Sequence, residues 1–178
     1  VPLGRFARAA LPAQLFAFSS SSSIAALPAL VEAAERDLAL PERMQGFVLP
    51  LAVSVFKVAA PVSWPIGTFF IGRFYGIELH PAQLGVILLA AVFLAFAVPG
   101  VPRGAFLMLT PLFLAIGLPA EGIGILIAID AVPDLFATVL NVTGDLTAAV
   151  LVACGQVAPV GAAAATGAEE PPARIAPS

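Results

Sequence analysis

The residues best suited to chemistry lie near the end of the chain. Ile129-Asp130-Ala131-Val132-Pro133-Asp134 leads into Thr138, Asn141 and Asp145. On a helix turning about 100° per residue, Asp130, Asp134, Thr138, Asn141 and Asp145 fall within roughly 80° of one another. The opposite face is Leu, Val, Ile and Ala. An ionised carboxylate at mid-bilayer costs at least ~2.5–3.5 kcal/mol on insertion scales. These groups therefore need cations, hydrogen-bond donors or water. One reading is a path for an ion and a substrate. The other is a helix end wetted at an interface. Asp130 and Asp145 are about 22 Å apart along a helix, so both fit near opposite interfaces, whereas Asp134 and Asn141 do not. Asp130 fits either a site role or the bracing of its neighbours.

The surrounding composition selects a bilayer. Apolar residues are 60% of the chain and charged residues 11%, against roughly 45–50% and 25% in soluble domains. A water-soluble fold of this length would carry a greasy surface. The net charge of −3 has no basic block behind it, which excludes nucleic acid as an expected partner. Cys154 stands alone and forms no internal disulfide; it reads as a small apolar helix residue. No enzyme and no cofactor is expected. His80 precedes Pro81 without metal-ligating neighbours and reads as an interface residue. No signal peptide is visible. Val1-Pro2-Leu3-Gly4-Arg5-Phe6 already reads as structured, so a fragment with earlier spans before it is expected.

The elements that must position the acidic stripe are oddly broken. Phe47–Phe56 is apolar, Lys57, Pro61, Ser63, Trp64 and Pro65 interrupt it, and Ile66–Ile77 resumes. This predicts one span with an unwound middle, since proline breaks the hydrogen-bond ladder. Such breaks survive at membrane depth only inside protein or beside a watery cavity. Gln83–Val98 and Ala105–Leu118 flank Pro99–Gly104. Each arm is about 21–24 Å long, too short for ~30 Å of hydrocarbon, so a re-entrant hairpin is predicted. Pro12–Phe18 and Ile24–Leu40 flank the serine run Ser19–Ser23 in the same way. Serine hydroxyls compete for backbone groups and disfavour continuous helix. A serine run is also a common flexible linker, but the flanks Phe16-Ala17-Phe18 and Ile24-Ala25-Ala26-Leu27 are too apolar for one. Glu32, Glu35, Arg36, Asp37, Glu42 and Arg43 read as the solvated end of this hairpin. Glu121–Cys154 reads as one long final helix. Residues after Gln156 decay into Ala, Gly, Pro and Glu, predicting a disordered tail. Hairpin, broken span, hairpin and span in that order suit an inverted-repeat transporter with a midplane site.

At the acidic helix the resemblance becomes specific. Asp130 through Asn141-Val142-Thr143-Gly144-Asp145 resembles the final-helix signature of the dicarboxylate/amino acid:cation symporter family, the glutamate-transporter homologues. The serine tip with Leu27-Pro28 resembles that family's first hairpin. Gly100-Val101-Pro102 followed by Met108-Leu109 resembles the second. Thr68-Phe69-Phe70-Ile71 resembles the later half of its seventh span. The resemblance covers residues 1–155. It implies that Asp134 accepts a substrate α-ammonium and that Asn141 donates to its α-carboxylate. It further implies that Thr138 lines the pocket and that Ser22 and Ser23 hold the carboxylate. The tip at Val101 and Pro102 would act as a gate. Asp145, with Asn141, would ligate sodium. Opposed half-helix ends and serine donors suit an anion, and an acidic face suits cations.

Two departures stand out. Family members that carry acidic substrates have an arginine where this chain has Ala137, and alanine cannot make that fork. Arg103 is a candidate replacement or an exposed charge. In the seventh span the family's Asn-Met-Asp-Gly-Thr motif meets Phe56-Lys57-Val58-Ala59-Ala60. The ligating side chains are gone, and Lys57 brings a fixed positive charge. Lys57 is expected to stand in for sodium, paired with a carboxylate such as Asp145, with coupling to protons or to no ion. The competing reading is a lysine that snorkels to an interface.

The expected architecture is an all-α membrane protein with a transport domain over residues 1–155. It comprises hairpin 1 at about 12–40, a broken transmembrane helix at about 47–77, hairpin 2 at about 82–118 and a long transmembrane helix at about 121–155, with a tail over 156–178. The expected function is a symporter for a small carboxylate or amino acid, not an acidic amino acid, with sodium or proton as coupling ion. Resemblance implies a multi-pass protein of the cell (inner) membrane and a homotrimer built through an amino-terminal half. The alternatives are a degenerate, non-transporting member or an anion-channel-like protein.

Overall fold

The computed structural model describes residues 1–96 and 106–155. All regular elements among them are helical: α1 Leu3–Ser20, α2 Ser23–Glu32, α3 Leu49–Val55, α4 Ala60–Phe74, α5 Pro81–Ala95, α6 Thr110–Ala115, α7 Glu121–Ile129 and α8 Pro133–Gly155. Short π-helical turns extend α2 at Ala33–Asp37 and precede α3 at Met44–Val48, and a 3-10 turn, Phe106–Leu109, leads into α6.

The serine run does break the helix, over a narrower stretch than predicted. Ser19 and Ser20 complete α1, and the reversal is confined to Ser21 and Ser22. Ser21 is left-handed, with φ 50°. Ser22 is extended, and its side chain accepts from the Ala25 N–H at 3.2 Å, capping α2. Such a cap satisfies one of the donors a helix start leaves orphaned. The first arm also begins at Leu3 rather than at Pro12. The arms fold back on each other, because Arg5 Nε near the start of α1 donates to the Asp37 carbonyl at 2.6 Å. Ala9, Ala10, Ala13 and Ala17 are buried along α1, and their small side chains let the arms approach.

The second apolar pair also returns on itself. Gln83 Oε1 accepts from the His80 N–H at 2.7 Å, and Gln83 Nε2 donates to the Ile116 carbonyl at 2.8 Å. His80 is thus the N-cap of α5. The tip carrying Val101, Pro102 and Arg103 lies outside the described residues, as does the tail after Gly155.

Both spans are divided. The break between α3 and α4 falls at Phe56–Ala59, ahead of the prolines. Pro61 sits in the first turn of α4, where a missing N–H costs nothing, and Pro65 is held inside the helix. The single long final helix expected over 121–155 is corrected to two. α7 ends at Ile129, Asp130–Val132 form a turn, and α8 starts at Pro133. Proline restricts the residue before it and cannot donate to the preceding turn. Asp130 therefore leaves the α8 face it was expected to share.

The two breaks divide the packing in half. One core joins α1, α2, α3 and α8 through Ala13, Leu30, Leu49, Val142 and Leu146. The other joins α4, α5, α6 and α7 through Trp64, Ile71, Ala91, Phe113 and Leu126. Each half holds one folded-back pair and a piece of each span. The chain crosses between halves where its helices stop. Outward faces stay apolar, with Phe47, Ile66, Phe93, Leu114 and Leu151 all exposed. Met44–Phe74 and Pro133–Gly155 are long and apolar enough to cross a membrane by length and composition.

Gly122 tests the second core. A Cβ there would lie 2.6 Å from Ile71 Cγ2 and 3.3 Å from Phe113 Cε2. Gly122→Val is expected to destabilise the solubilised protein by about 1–3 kcal/mol, the usual cost of overpacking, read as a lower melting temperature in detergent.

Candidate functional site

Three elements converge on α8. α1 runs antiparallel beside it. Leu3 and Phe6 line a cleft with Val150 and Leu151. Gln14 Nε2 donates to Thr143 Oγ1 at 2.9 Å. Phe18 meets Phe136 edge to face, ring centroids 5.6 Å apart. Rising through α1 thus descends α8. The serine tip beyond Phe18 is carried to the amino-terminal end of α8, the end that bears Asp134. There Ser23 is buried and Ser22 half-buried.

The second element is the break in the first span, which lies against the middle of α8. Ala59 donates its N–H to Asn141 Oδ1 at 3.0 Å. Gly144 makes room for the crossing, since a Cβ there would lie 2.9 Å from Val58 Cγ2 and 3.6 Å from Phe56 Cε1. An unwound turn frees main-chain donors that a bilayer cannot satisfy. The Asn141 amide answers one of them. With its carbonyl oxygen so engaged, the Asn141 amide keeps its N–H2 side as a donor.

The third element is charge. Asp145 is fully buried on α8, and neither of its carboxylate oxygens has a hydrogen-bond partner among the described residues. Lys57 is also buried, 5% exposed, at the break. It therefore does not snorkel to water. The direct pairing expected between them is not formed: the Lys57 ammonium donates to the Val53 carbonyl, and the pair makes no ion bridge. Each nevertheless feels the other's charge. The ammonium turned aside because α3 ends there: Val53 has a carbonyl left open by the break. Phe56, Val58 and Ala59 supply no side-chain oxygen to a metal. No group of three or more His, Cys, Asp or Glu side chains placed to hold a metal ion occurs among the described residues.

The α8 stripe is assembled without its first member. Asp134 and Asn141 are half-buried, and Thr138 and Asp145 are buried. Thr138 Oγ1 donates to the Asp134 carbonyl at 2.8 Å, which leaves its lone pairs as acceptors. Asp134 and Asp145 are about 16 Å apart along the axis. One end thus meets the serine tip and the other meets Lys57. Gln14 was not singled out by the sequence reading, although a lone amide in the apolar arm Pro12–Phe18 is the signal that marks it.

Comparison with known proteins bears on this arrangement. The model of the "Sodium:dicarboxylate symporter family" matches residues 1–154. The chain is 32% identical over 129 residues to "Neutral amino acid transporter A" of Homo sapiens, covering 72% of this chain and 24% of that protein. It is 32% identical over 141 residues to "Excitatory amino acid transporter 3" of Mus musculus, covering 79% and 27%. It is 33% identical over 140 residues to "Proton/sodium-glutamate symport protein" of Bacillus subtilis (strain 168), covering 77% and 32%. The chain thus spans about a quarter to a third of the length of these relatives.

The buried charges make a prediction of their own. Removing one member of a buried pair leaves the other uncompensated, at about 3–5 kcal/mol, whereas replacing both is often neutral. Asp145→Leu alone is expected to destabilise strongly, and adding Lys57→Met is expected to recover most of the loss. A double-mutant cycle on melting in detergent reads this. Additive losses would mean that the two charges do not compensate each other.

Proposed function

The chain belongs to the sodium:dicarboxylate symporter family, and from that premise we propose that it is the substrate-binding part of a secondary transporter for a neutral amino acid or another small carboxylate. In this reading the folded-back helix pairs are re-entrant in the membrane. The serine tip at Ser22 and Ser23 and the Asn141 amide hold the substrate carboxylate. Asp134 takes its ammonium, beside Thr138. The second tip, at Val101 and Pro102, gates the site. An amino-terminal half supplies a trimeric scaffold in the cell membrane, against which the two packed halves move together. Alanine at position 137 supplies no cation to pair an acidic side chain, and the other candidate, Arg103, lies outside the described residues.

Coupling is where this chain parts from a sodium symporter. The observation that carries this reading is a buried lysine at the helix break beside a buried, unpartnered Asp145. Sodium wants oxygen ligands, and at the break this chain offers hydrocarbon and an ammonium. Lys57 serves as the resident counter-charge of Asp145, so that sodium is not required. A proton is the other coupling ion compatible with the site. The same loss of oxygen-bearing side chains favours one further reading, a degenerate member or anion conductor that moves no substrate.

Two measurements on the complete protein in liposomes separate these. Replacing external sodium by choline is expected to change substrate uptake by less than about twofold; a steep rise with sodium would remove the proposal for Lys57. Labelled substrate is expected to accumulate by counterflow against an unlabelled internal pool, and Asp134→Asn to reduce that exchange at least ~100-fold, as loss of a charged partner costs several kcal/mol. An anion conductor or a degenerate member shows no counterflow.

A further inference from the structure

One end of the first folded-back pair carries charges of both signs that are not joined to each other. Arg5, Arg8 and Asp37 line a hollow of about 450 Å³, with Gly4 and Ala9 between them. All three charged residues are exposed. None of them forms an ion pair among the described residues, whereas Arg36 at the same end is paired with Glu32. Arg5 is nonetheless held in place, because its Nε donates to the Asp37 carbonyl at 2.6 Å. That bond engages one donor and leaves the terminal N–H groups of the guanidinium to a ligand.

The hollow sits at the depth of lipid headgroups. Leu3 and Phe6 line a cleft with Val150 and Leu151. This end of α1 therefore lies beside the last turns of α8, a helix long and apolar enough to cross a membrane. Beyond the hollow α1 turns apolar. Arg8, Leu11 and Leu15 recur at spacings of three and four and share one face of the helix. Leu11 and Leu15 are 51% and 62% exposed. Such a strip suits an acyl chain, with arginine heads reaching toward phosphates at its end.

We propose that this hollow binds the headgroup of a zwitterionic aminophospholipid, phosphatidylethanolamine. The phosphate lies between Arg5 and Arg8, the ammonium meets Asp37, and a chain runs along Leu11 and Leu15. Guanidinium forks suit phosphate oxygens. The volume falls within the roughly 300–1,000 Å³ of small-molecule sites. Asp37 sets the lipid class: an anionic lipid without an amine brings it no cation, whereas ethanolamine does. A free amino acid carries both charges but leaves the apolar strip uncovered. The proposal is independent of the substrate reading and requires only that the chain lie in a bilayer.

Native mass spectrometry of the complete protein tests it. The protein, purified in a mild detergent, is offered equal amounts of phosphatidylethanolamine and phosphatidylglycerol with identical chains. Wild type is expected to retain phosphatidylethanolamine about threefold over phosphatidylglycerol, the scale of one exposed ion pair. A merely basic patch favours the anionic lipid, and that preference, or equal retention, would overturn the proposal. Arg8→Gln is expected to lower retention of both lipids about fivefold, the scale of one basic residue at a membrane surface. Asp37→Asn is expected to abolish the preference for phosphatidylethanolamine. Both residues are exposed, so each variant is expected to melt like wild type; should one not, the other decides. Unchanged retention in folded Arg8→Gln, or an unchanged preference in folded Asp37→Asn, would overturn the site. Displacement of the lipid by an equal concentration of water-soluble glycerophosphoethanolamine would also overturn it, by showing a site for a free zwitterion.

Discussion

A helix broken inside an apolar environment leaves main-chain groups that only protein or a water-filled cavity can satisfy, and the Ala59 N–H to Asn141 Oδ1 bond is where this fold meets that constraint. Much else is arranged around it. Gly144 has no side chain because Phe56 and Val58 pass there. Lys57 is buried because it sits on the broken turn, and its ammonium finds the carbonyl of Val53 that the end of α3 leaves open. One amide thus fixes the height at which the first span crosses α8. That height decides which α8 residues face the break and which face the serine tip.

The second consequence is the division into halves. α3 packs with the first folded-back pair and α4 with the second; α8 packs with the first and α7 with the second. Each span is broken where it changes partners. A continuous helix would have to present one apolar face to two different cores along its length. Interrupting it allows each piece its own orientation. The turn at Asp130–Val132 therefore answers the one at Phe56–Ala59, and Asp130 and Ala59 line one groove between α4, α7 and α8.

Much of this was legible from composition and local chemistry. Five consecutive serines between apolar arms, a lysine within an apolar run and carboxylates at helical spacing each imply their element. The misreadings have a common origin. Pro61 and Pro65 were expected to unwind the first span, but Pro61 sits in a first turn, which tolerates proline, Pro65 is held inside α4, and the break precedes both. Pro133 was passed over within an acidic stripe that kept its period through the turn, so Asp130 was placed on a face it does not share. Periodicity records which residues would align if a helix continued; it carries no information about whether it does. Pairings between distant segments were the least legible. Gln14 with Thr143, and Lys57 with Val53 rather than Asp145, depend on how helices lie against each other.

A resident ammonium has a consequence that a mobile ion does not. A sodium ion drawn from solution binds with a free energy set by its gradient, and that difference is what drives a substrate uphill. Lys57 is covalently part of the chain and travels with it. As the proposed counter-charge it would neutralise Asp145 equally whichever side of the membrane the site faced, and so would shift no equilibrium between two orientations. A carrier built this way with no second coupling ion equilibrates or exchanges its substrate without concentrating it. The same geometry thus separates two tasks that a bound cation performs together: compensating a buried carboxylate, which Lys57 is placed to do, and supplying work, which it cannot.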